Sequence, residues 1–267
     1  MKALVWRVAR VGARVGVVLA VLLAWQALSA TGALPSQEFP SATGTFAALG
    51  RVLQSAELWH AIRDTLAGWA LGLLIGASLA ILIGTVLGLN RFAYRSAIPV
   101  IEFLKTVPII AILPLAILLF GATLKMKFLL IAFGVFWPMV IQVIYGVRSI
   151  DPTVRDTARV LQLRGARRFA VVTMPSAAPF IMTGLRVAAA TALVLDIVAE
   201  LIGGGAGLGL SILFAQNAGP SEVTTMYAYI VVTGLLGVLV TGLFILLERR
   251  VLHWHPSQRN LRPQDVG

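Results

Sequence analysis

Leu66-Ala67-Gly68-Trp69-Ala70-Leu71-Gly72-Leu73-Leu74-Ile75-Gly76-Ala77-Ser78-Leu79-Ala80-Ile81-Leu82-Ile83-Gly84-Thr85-Val86-Leu87-Gly88-Leu89 is a run without one ionisable side chain. A helix through it is long enough to cross about 30 Å of hydrocarbon. It has no polar face to offer water, so it reads as a membrane span. Gly72 with Gly76, and Gly84 with Gly88, form GxxxG pairs. That spacing lets two helices approach closely in lipid. The competing explanation is the ordinary glycine enrichment of membrane helices.

Five further apolar stretches flank this one: Val15 to Ala30, Ile98 to Gly121, Phe128 to Tyr145, Phe180 to Ile202 and Met226 to Leu247. Pro108 and Pro114 fall in the third span and Pro138 in the fourth. A proline there removes a helical hydrogen bond, and neighbouring helices or a cavity must satisfy the freed carbonyl. The fold class expected is all-α, a polytopic membrane protein of six transmembrane helices. Composition agrees. Hydrophobic residues make up 58% of the 267 and charged residues 12%, about half the ~25% of a soluble domain. Mean hydropathy is +0.90. Disorder is excluded by this balance, and the absence of cysteine excludes disulfide scaffolds, thiolate metal sites and cysteine nucleophiles.

The net charge of +11 suggests nucleic acid until the positions of the charges are considered. One set of segments holds Lys2, Arg7, Arg10, Arg14, Arg91, Arg95, Arg148, Arg155, Arg159, Arg164, Arg167, Arg168, Arg249, Arg250, Arg259 and Arg262. The opposite set holds Arg51, Arg63, Lys125 and Lys127. A bias of this size places both termini and the Arg148–Arg168 segment in the cytoplasm, and no nucleic acid is needed to explain it. Residues 1–14 then form a basic cytoplasmic N-terminus, 15–252 one transmembrane domain with a cytoplasmic loop at 148–179, and 253–267 a cytoplasmic tail. The basic start before an apolar run also has the layout of a signal peptide, but Leu28 would occupy a position where a small residue is wanted.

Two external segments have character. Thr31 to Thr65 contains an amphipathic stretch, Phe46 to Leu53, expected to lie at the interface. Gly203 to Val223 opens Gly-Gly-Gly-Ala-Gly-Leu-Gly. No strand precedes it, so a dinucleotide fingerprint is rejected in favour of a flexible exit that re-enters as a short helix.

The cytoplasmic loop carries the functional signal. Asp151 can cap a helix whose first residue is Pro152. Val154, Ala158 and Leu161 recur at helical spacing, with Arg155 and Arg159 on another face. Gly165 offers a break, a second short helix can follow through Arg167 and Phe169, and Pro175 interrupts the chain before the fifth span. An apolar stripe exposed to the cytosol wants a protein partner. Here the sequence resembles the permease subunits of binding-protein-dependent ABC importers. Their cytoplasmic EAA motif runs Glu-Ala-Ala, a Gly about six residues after the Glu, and Leu-Pro about 18 to 19 residues after it. Asp156-Thr157-Ala158 stands for Glu-Ala-Ala, Gln162 occupies the Gly position with Gly165 three residues on, and Met174-Pro175 stands for Leu-Pro. A left-handed turn at Gln162 would cost roughly 1–2 kcal/mol; otherwise the turn shifts to Gly165. The nitrate/sulfonate/taurine group is resembled further in Ile101 to Lys105 with Val107-Pro108, in Leu113 to Ile117, in Phe136-Trp137-Pro138, in the Gly146-Val147-Arg148 to Asp151-Pro152 junction, in Ala199-Glu200 and in Leu252 to Pro256.

The resemblance implies the type I ABC importer permease fold in a bacterial cytoplasmic membrane. It implies a second permease copy, ATP-binding cassette subunits gripping the loop around Asp156, Thr157, Ala158, Leu161, Gln162, Gly165 and Pro175, and an extracytoplasmic substrate-binding protein. Cargo would be a sulfonate, taurine, nitrate or a related small compound. No lysine follows a glycine, so the chain lacks a GxxxxGK[ST] phosphate loop. ATP must then be bound by a partner, and no cofactor is expected here.

Charges inside spans are the remaining candidates. Asp196 and Glu200 lie four apart, on one face of the fifth span. Glu102 and Lys105 lie three apart near the start of the third. They are candidates for a polar pathway, with structural cross-bracing as the alternative. Two carboxylates on the route would repel nitrate or a sulfonate unless neutralised. An ion-coupled secondary transporter would use such acids but has no use for a docking loop. A membrane enzyme lacks any nucleophile–base or metal-ligand pattern here. His253 and His255 flank Trp254 at the end of the sixth span, an interfacial arrangement with too few ligands for a metal.

Overall fold

The computed structural model describes residues 2–33, 35 and 37–253, without the side chains of 2–11 and 14. Lys2, Arg7, Arg10 and Arg14 as side chains, and Trp254, His255, Pro256, Arg259 and Arg262 altogether, lie outside the described residues. The described residues are mostly helical, with no strand among them. In order they form α1 (Lys2–Ala30), α2 (Ala42–Val52), α3 (Ala56–Leu89), α4 (Arg91–Leu104), α5 (Leu113–Phe120), α6 (Leu124–Arg148), α7 (Pro152–Val160), α8 (Gly165–Arg168), α9 (Met174–Gly203), α10 (Leu208–Asn217) and α11 (Val223–Val251).

Three single helices, Ala56–Leu89, Leu124–Arg148 and Pro220–Val251, are long and apolar enough to cross a membrane. A bent pair, Arg91–Leu104 with Ile109–Phe120, would make a fourth. Val15–Ala30 and Leu208–Asn217 are shorter apolar helices. The six-span expectation is compatible with this inventory, which by itself fixes no total.

Local chemistry sets the boundaries. Asn90 ends α3 and starts α4, its side chain accepting from the backbone N–H of Phe92 and Ala93 at 2.9 and 3.1 Å. The stretch expected as one span from Ile98 is broken instead. The α4 helix closes at Lys105, the Thr106 hydroxyl donates to the Phe103 carbonyl, and Pro108 supplies no N–H to continue. A short 3₁₀ turn, Ile109–Ile112, then leads into α5, which has Pro114 in its first turn, and the two halves meet at 81°. Pro138, by contrast, sits inside a continuous α6. The glycine-rich segment that follows α9 does lead into a short helix, α10.

The chain forms two compact units, Met1–Ala61 with Leu210–Gly234 and Ile62–Gly209 with Leu235–Gly267. In the first, α1 and α2 are tied by Trp25 Nε1 donating to the Pro40 carbonyl at 3.0 Å and the Thr43 N–H donating to Gln26 Oε1 at 3.1 Å. The α2 helix begins one residue after its cap, Ser41, and runs through the expected Phe46–Leu53 stretch as far as Val52, with Leu53 as its C-cap.

The second unit holds the site. Its α3 helix lies against α6 along the glycine stripe. A Cβ added at Gly72 would meet Ile131, at Gly76 the Ala132 backbone, at Gly84 Val143 and at Gly88 Val147, all at 2.8 Å or less. The close-approach explanation of the GxxxG pairs is therefore the one that holds. On another side of α6, a Cβ at Gly134 would strike Leu195 of α9, and one at Gly146 would meet Phe180 at 2.9 Å and the Ala177 carbonyl at 3.1 Å. One core packs Met139, Val140, Val143, Ile144 and Val147 with Ala80, Ile101 and Ala177. Another joins Leu113 and Ala116 to Met126, Leu130 and Ala199.

Candidate functional site

The loop between α6 and α9 is a closed small structure. Asp151 Oδ1 accepts the Thr153 N–H at 2.7 Å, and Pro152 is the first residue of α7. The bonds from Thr153 hold the Asp151 carboxyl below its usual value of 3.8. A carboxyl so lowered contributes stability above its unfolded pKa, lost as pH falls through the folded one. At the far end, Gln162 has φ 55°. The Leu163 N–H donates to the Ala158 carbonyl and the Gln162 N–H to the Arg159 carbonyl, both at 2.9 Å. This is the paired bond pattern that closes a helix through a left-handed residue. Its expected apolar contact is present as well, since Leu163 packs on Ile150, Ala158 and Val172. Gly165 is also left-handed, at φ 52°. The chain thus turns at both positions that the sequence offered as alternatives.

This geometry sorts the loop residues. Ala158 is 2% exposed and belongs to the loop's own core, so it does not share a surface with Leu161. Exposed instead are Val154, Val160 and Leu161, at 45%, 82% and 63%. Asp156 is exposed and paired with Arg159 at 2.9 Å. Thr157 turns its hydroxyl back to the Thr153 carbonyl. Pro175 does not interrupt the chain. It lies in the first turn of α9, and the helical path is continuous from Gly165 through a π turn at Phe169–Thr173.

The intramembrane acids sit in a second constellation. Lys127 is 2% exposed, Asp196 and Glu200 are 0% exposed. Lys127 Nζ lies 2.5 Å from Glu200 Oε1, 2.9 Å from the Asp64 carbonyl and 3.0 Å from the Ala206 carbonyl. An ammonium has three N–H donors, and these acceptors use all of them. Asp196 Oδ1 lies farther off, 3.2 Å from Nζ, and neither Asp196 oxygen meets a neighbour in good hydrogen-bond geometry. Glu200 also accepts from the Thr65 hydroxyl at 2.9 Å and from the Gly209 N–H at 2.9 Å. Thr65 Oγ1 in turn accepts the Leu208 N–H at 2.9 Å. A cavity of about 220 Å³ beside the cluster is lined by Lys127 and Asp64 but by neither acid.

The cluster explains the glycines. A Cβ at Gly68 would strike the Lys127 stem, and at Gly207, whose φ is 149°, the Glu200 carboxylate. The run from Gly203 to Gly209 is glycine-rich because it folds over a buried charge. Glu102 and Lys105 pair with each other at the surface of α4 and the turn after it, about half exposed and apart from these acids.

Sequence reasoning placed Lys127 among external topology charges. Hydropathy begins its span at Phe128, whereas α6 starts at Leu124, which carries Lys127 inside. Two acids four apart in a span needed a cation, and that was the available signal. Arg186 was passed over too. It pairs with Glu248 of α11 at 3.0 Å.

The chain matches, over residues 72–253, the family described as "Binding-protein-dependent transport system inner membrane component". It is 32% identical over 239 residues to the "Putative aliphatic sulfonates transport permease protein SsuC" of Bacillus subtilis strain 168, covering 89% of this chain and 86% of that one. It is 31% identical over 196 residues to the nitrate import permease protein NrtB of Leptolyngbya laminosa, covering 73% and 69%. Among solved structures, an inward-facing MetNI methionine ABC transporter aligns with a TM-score of 0.64 at 18% identity over 73% of this chain and 96% of that one. An amino acid ABC transporter with histidines aligns with a TM-score of 0.62 at 20% identity, over 76% and 97%.

Proposed function

Since this chain belongs to the family of binding-protein-dependent transport system inner membrane components, we propose that it lines the translocation route of an ATP-driven importer and docks its motor through the loop at 148–179. It is a transport permease subunit with the ABC importer permease fold, an inner-membrane component and not an enzyme. Family membership brings an ATP-binding subunit and a substrate-binding protein as partners. The docking role, the cargo, a second copy of this chain as the other half and cytoplasmic termini belong to the proposal.

One observation carries the docking role. The capped, core-stabilised α7 presents Val160 and Leu161 to solvent beside charged Asp156 and Arg159. Large exposed apolar side chains on a rigid turn want a groove on a partner. ATP-driven closure of two partners would carry these turns with it. The spans would then shift between outward and inward openings, a population change driven by differential binding.

The cargo proposed is a small oxyanion or organic sulfonate. Relatives named for aliphatic sulfonates and nitrate support it. The two acids that would oppose an anion are buried against Lys127 and so act as a brace between helices. An ion-coupled secondary carrier would need those acids free. Both termini on the cytoplasmic side is supported by the charge bias, which sharpens once Lys127 leaves the external set.

Replacing exposed Leu161 with Asp tests the docking role. In the assembled transporter, ATP-driven uptake should fall by at least about tenfold, the size of a lost interface anchor, while the chain remains folded in the membrane. Uptake at the wild-type rate would remove the loop from the interface.

A further inference from the structure

A cavity of about 500 Å³ lies where the loop meets the ends of the long helices. Five arginines line it: Arg91 from the start of α4, Arg148 from the end of α6, Arg155 and Arg159 from α7, and Arg168 from α8. No carboxylate is among its lining residues. Arg159 has a partner in Asp156, which is itself exposed and outside the lining. Arg148 is held over the Tyr94 ring, 4.2 Å from its centroid, a stacking that fixes where its fork points. Five like charges around one hollow repel one another, and a multivalent anion would offset that repulsion. The guanidinium fork matches phosphate oxygens two at a time.

We propose that this cavity binds a phosphate-bearing anion that ties the docking loop to the ends of α4 and α6. Gly88, Leu89 and Val147, at the ends of α3 and α6, also border the hollow. On the orientation proposed above, which this clause alone rests on, these ends lie at the cytoplasmic leaflet, and the phosphate of an anionic lipid headgroup is within reach. A soluble phosphate compound offers the same chemistry. Topology alone would predict basic residues in this loop, but it does not predict convergence. Arg164 and Arg167, exposed on the same loop and absent from the cavity wall, provide the internal control.

The full transporter is purified, and two probes are used: phosphatidylglycerol retention from nanodiscs by native mass spectrometry, and inorganic pyrophosphate titrated calorimetrically in neutral detergent. Arg155→Gln with Arg168→Gln should weaken binding roughly 25-fold, about fivefold for each arginine removed. Arg91→Gln, on the opposite wall, should cost about fivefold. Arg164→Gln with Arg167→Gln should cost less than about twofold at physiological salt. Lipid retention assigns a headgroup, and pyrophosphate binding without lipid retention assigns a soluble phosphate; either supports the proposal. Equal losses in the two double variants would mean diffuse surface charge and overturn it. So would binding of neither probe, including the case where the cavity variants only weaken assembly with the ATP-binding subunit, which would give the cavity to an acidic group of that partner. Pyrophosphate binding in detergent does not depend on membrane orientation or transport, so failure here is separable from failure of the functional reading.

Discussion

At the scale of single residues, Lys127 decides the most. It holds two carboxylates and two carbonyls together. Lys127→Met should destabilise the chain by about 3–5 kcal/mol, because it strands buried charge, and the measurement is thermal unfolding in detergent. Asp196→Asn should leave the melting temperature unchanged or raised, since Asp196 is the acid without a hydrogen bond. It should also leave uptake kinetics unchanged, and a changed half-saturation for cargo would return Asp196 to the route. Of this cluster the sequence showed the acids and hid the cation. Asp196 and Glu200 stand out inside an apolar run. Lys127 lies three residues inside the start of its helix, where span boundaries read from hydropathy are uncertain by about that much. The Gly203–Gly209 run was visible as composition, but the Glu200 carboxylate against which Gly207 and Gly209 pack is a contact made by the fold of the turn, which helical or strand periodicity does not encode.

At the scale of elements, two devices invite substitution. The α3–α6 seam depends on glycine, with the Ala132 backbone where a Gly76 side chain would go. Gly76→Leu should separate the helices and lower stability by about 1–3 kcal/mol, seen as an earlier melt with loss of assembly. The α7 helix ends at Gln162 in a conformation natural to glycine. Gln162→Gly should relieve roughly 1–2 kcal/mol of strain and give back part of it as chain entropy. Hydrogen exchange of the loop amides should slow by about two- to fivefold, whereas faster exchange would contradict the strain. The loop was legible because caps and turns are local. Asp151-Pro152 starts the helix, and the positions offered for its end were both used. Its facing was less legible. Helical spacing grouped Ala158 with Leu161, but the core made by Ile150, Val172 and Leu163 draws Ala158 inward and leaves Leu161 outside. The bent α4–α5 pair was hidden for a similar reason: Pro108 announces a disturbance, but hydropathy does not say whether it kinks or breaks the helix.

At the scale of the whole molecule, this chain is the membrane part of a machine whose energy source lies elsewhere. It has no phosphate loop, its two buried span acids are held against Lys127, and Val160 and Leu161 stand exposed on the loop. The all-helical class followed from apolar runs alone. The number of spans did not, because broken and short helices blur the count. The most direct test is to isolate the native assembly in mild detergent, identify every chain by mass, and reconstitute it in liposomes with and without ATP. The account predicts a co-purifying ATP-binding subunit and cargo uptake that requires both that subunit and ATP. Uptake by this chain alone, indifferent to nucleotide, would contradict it.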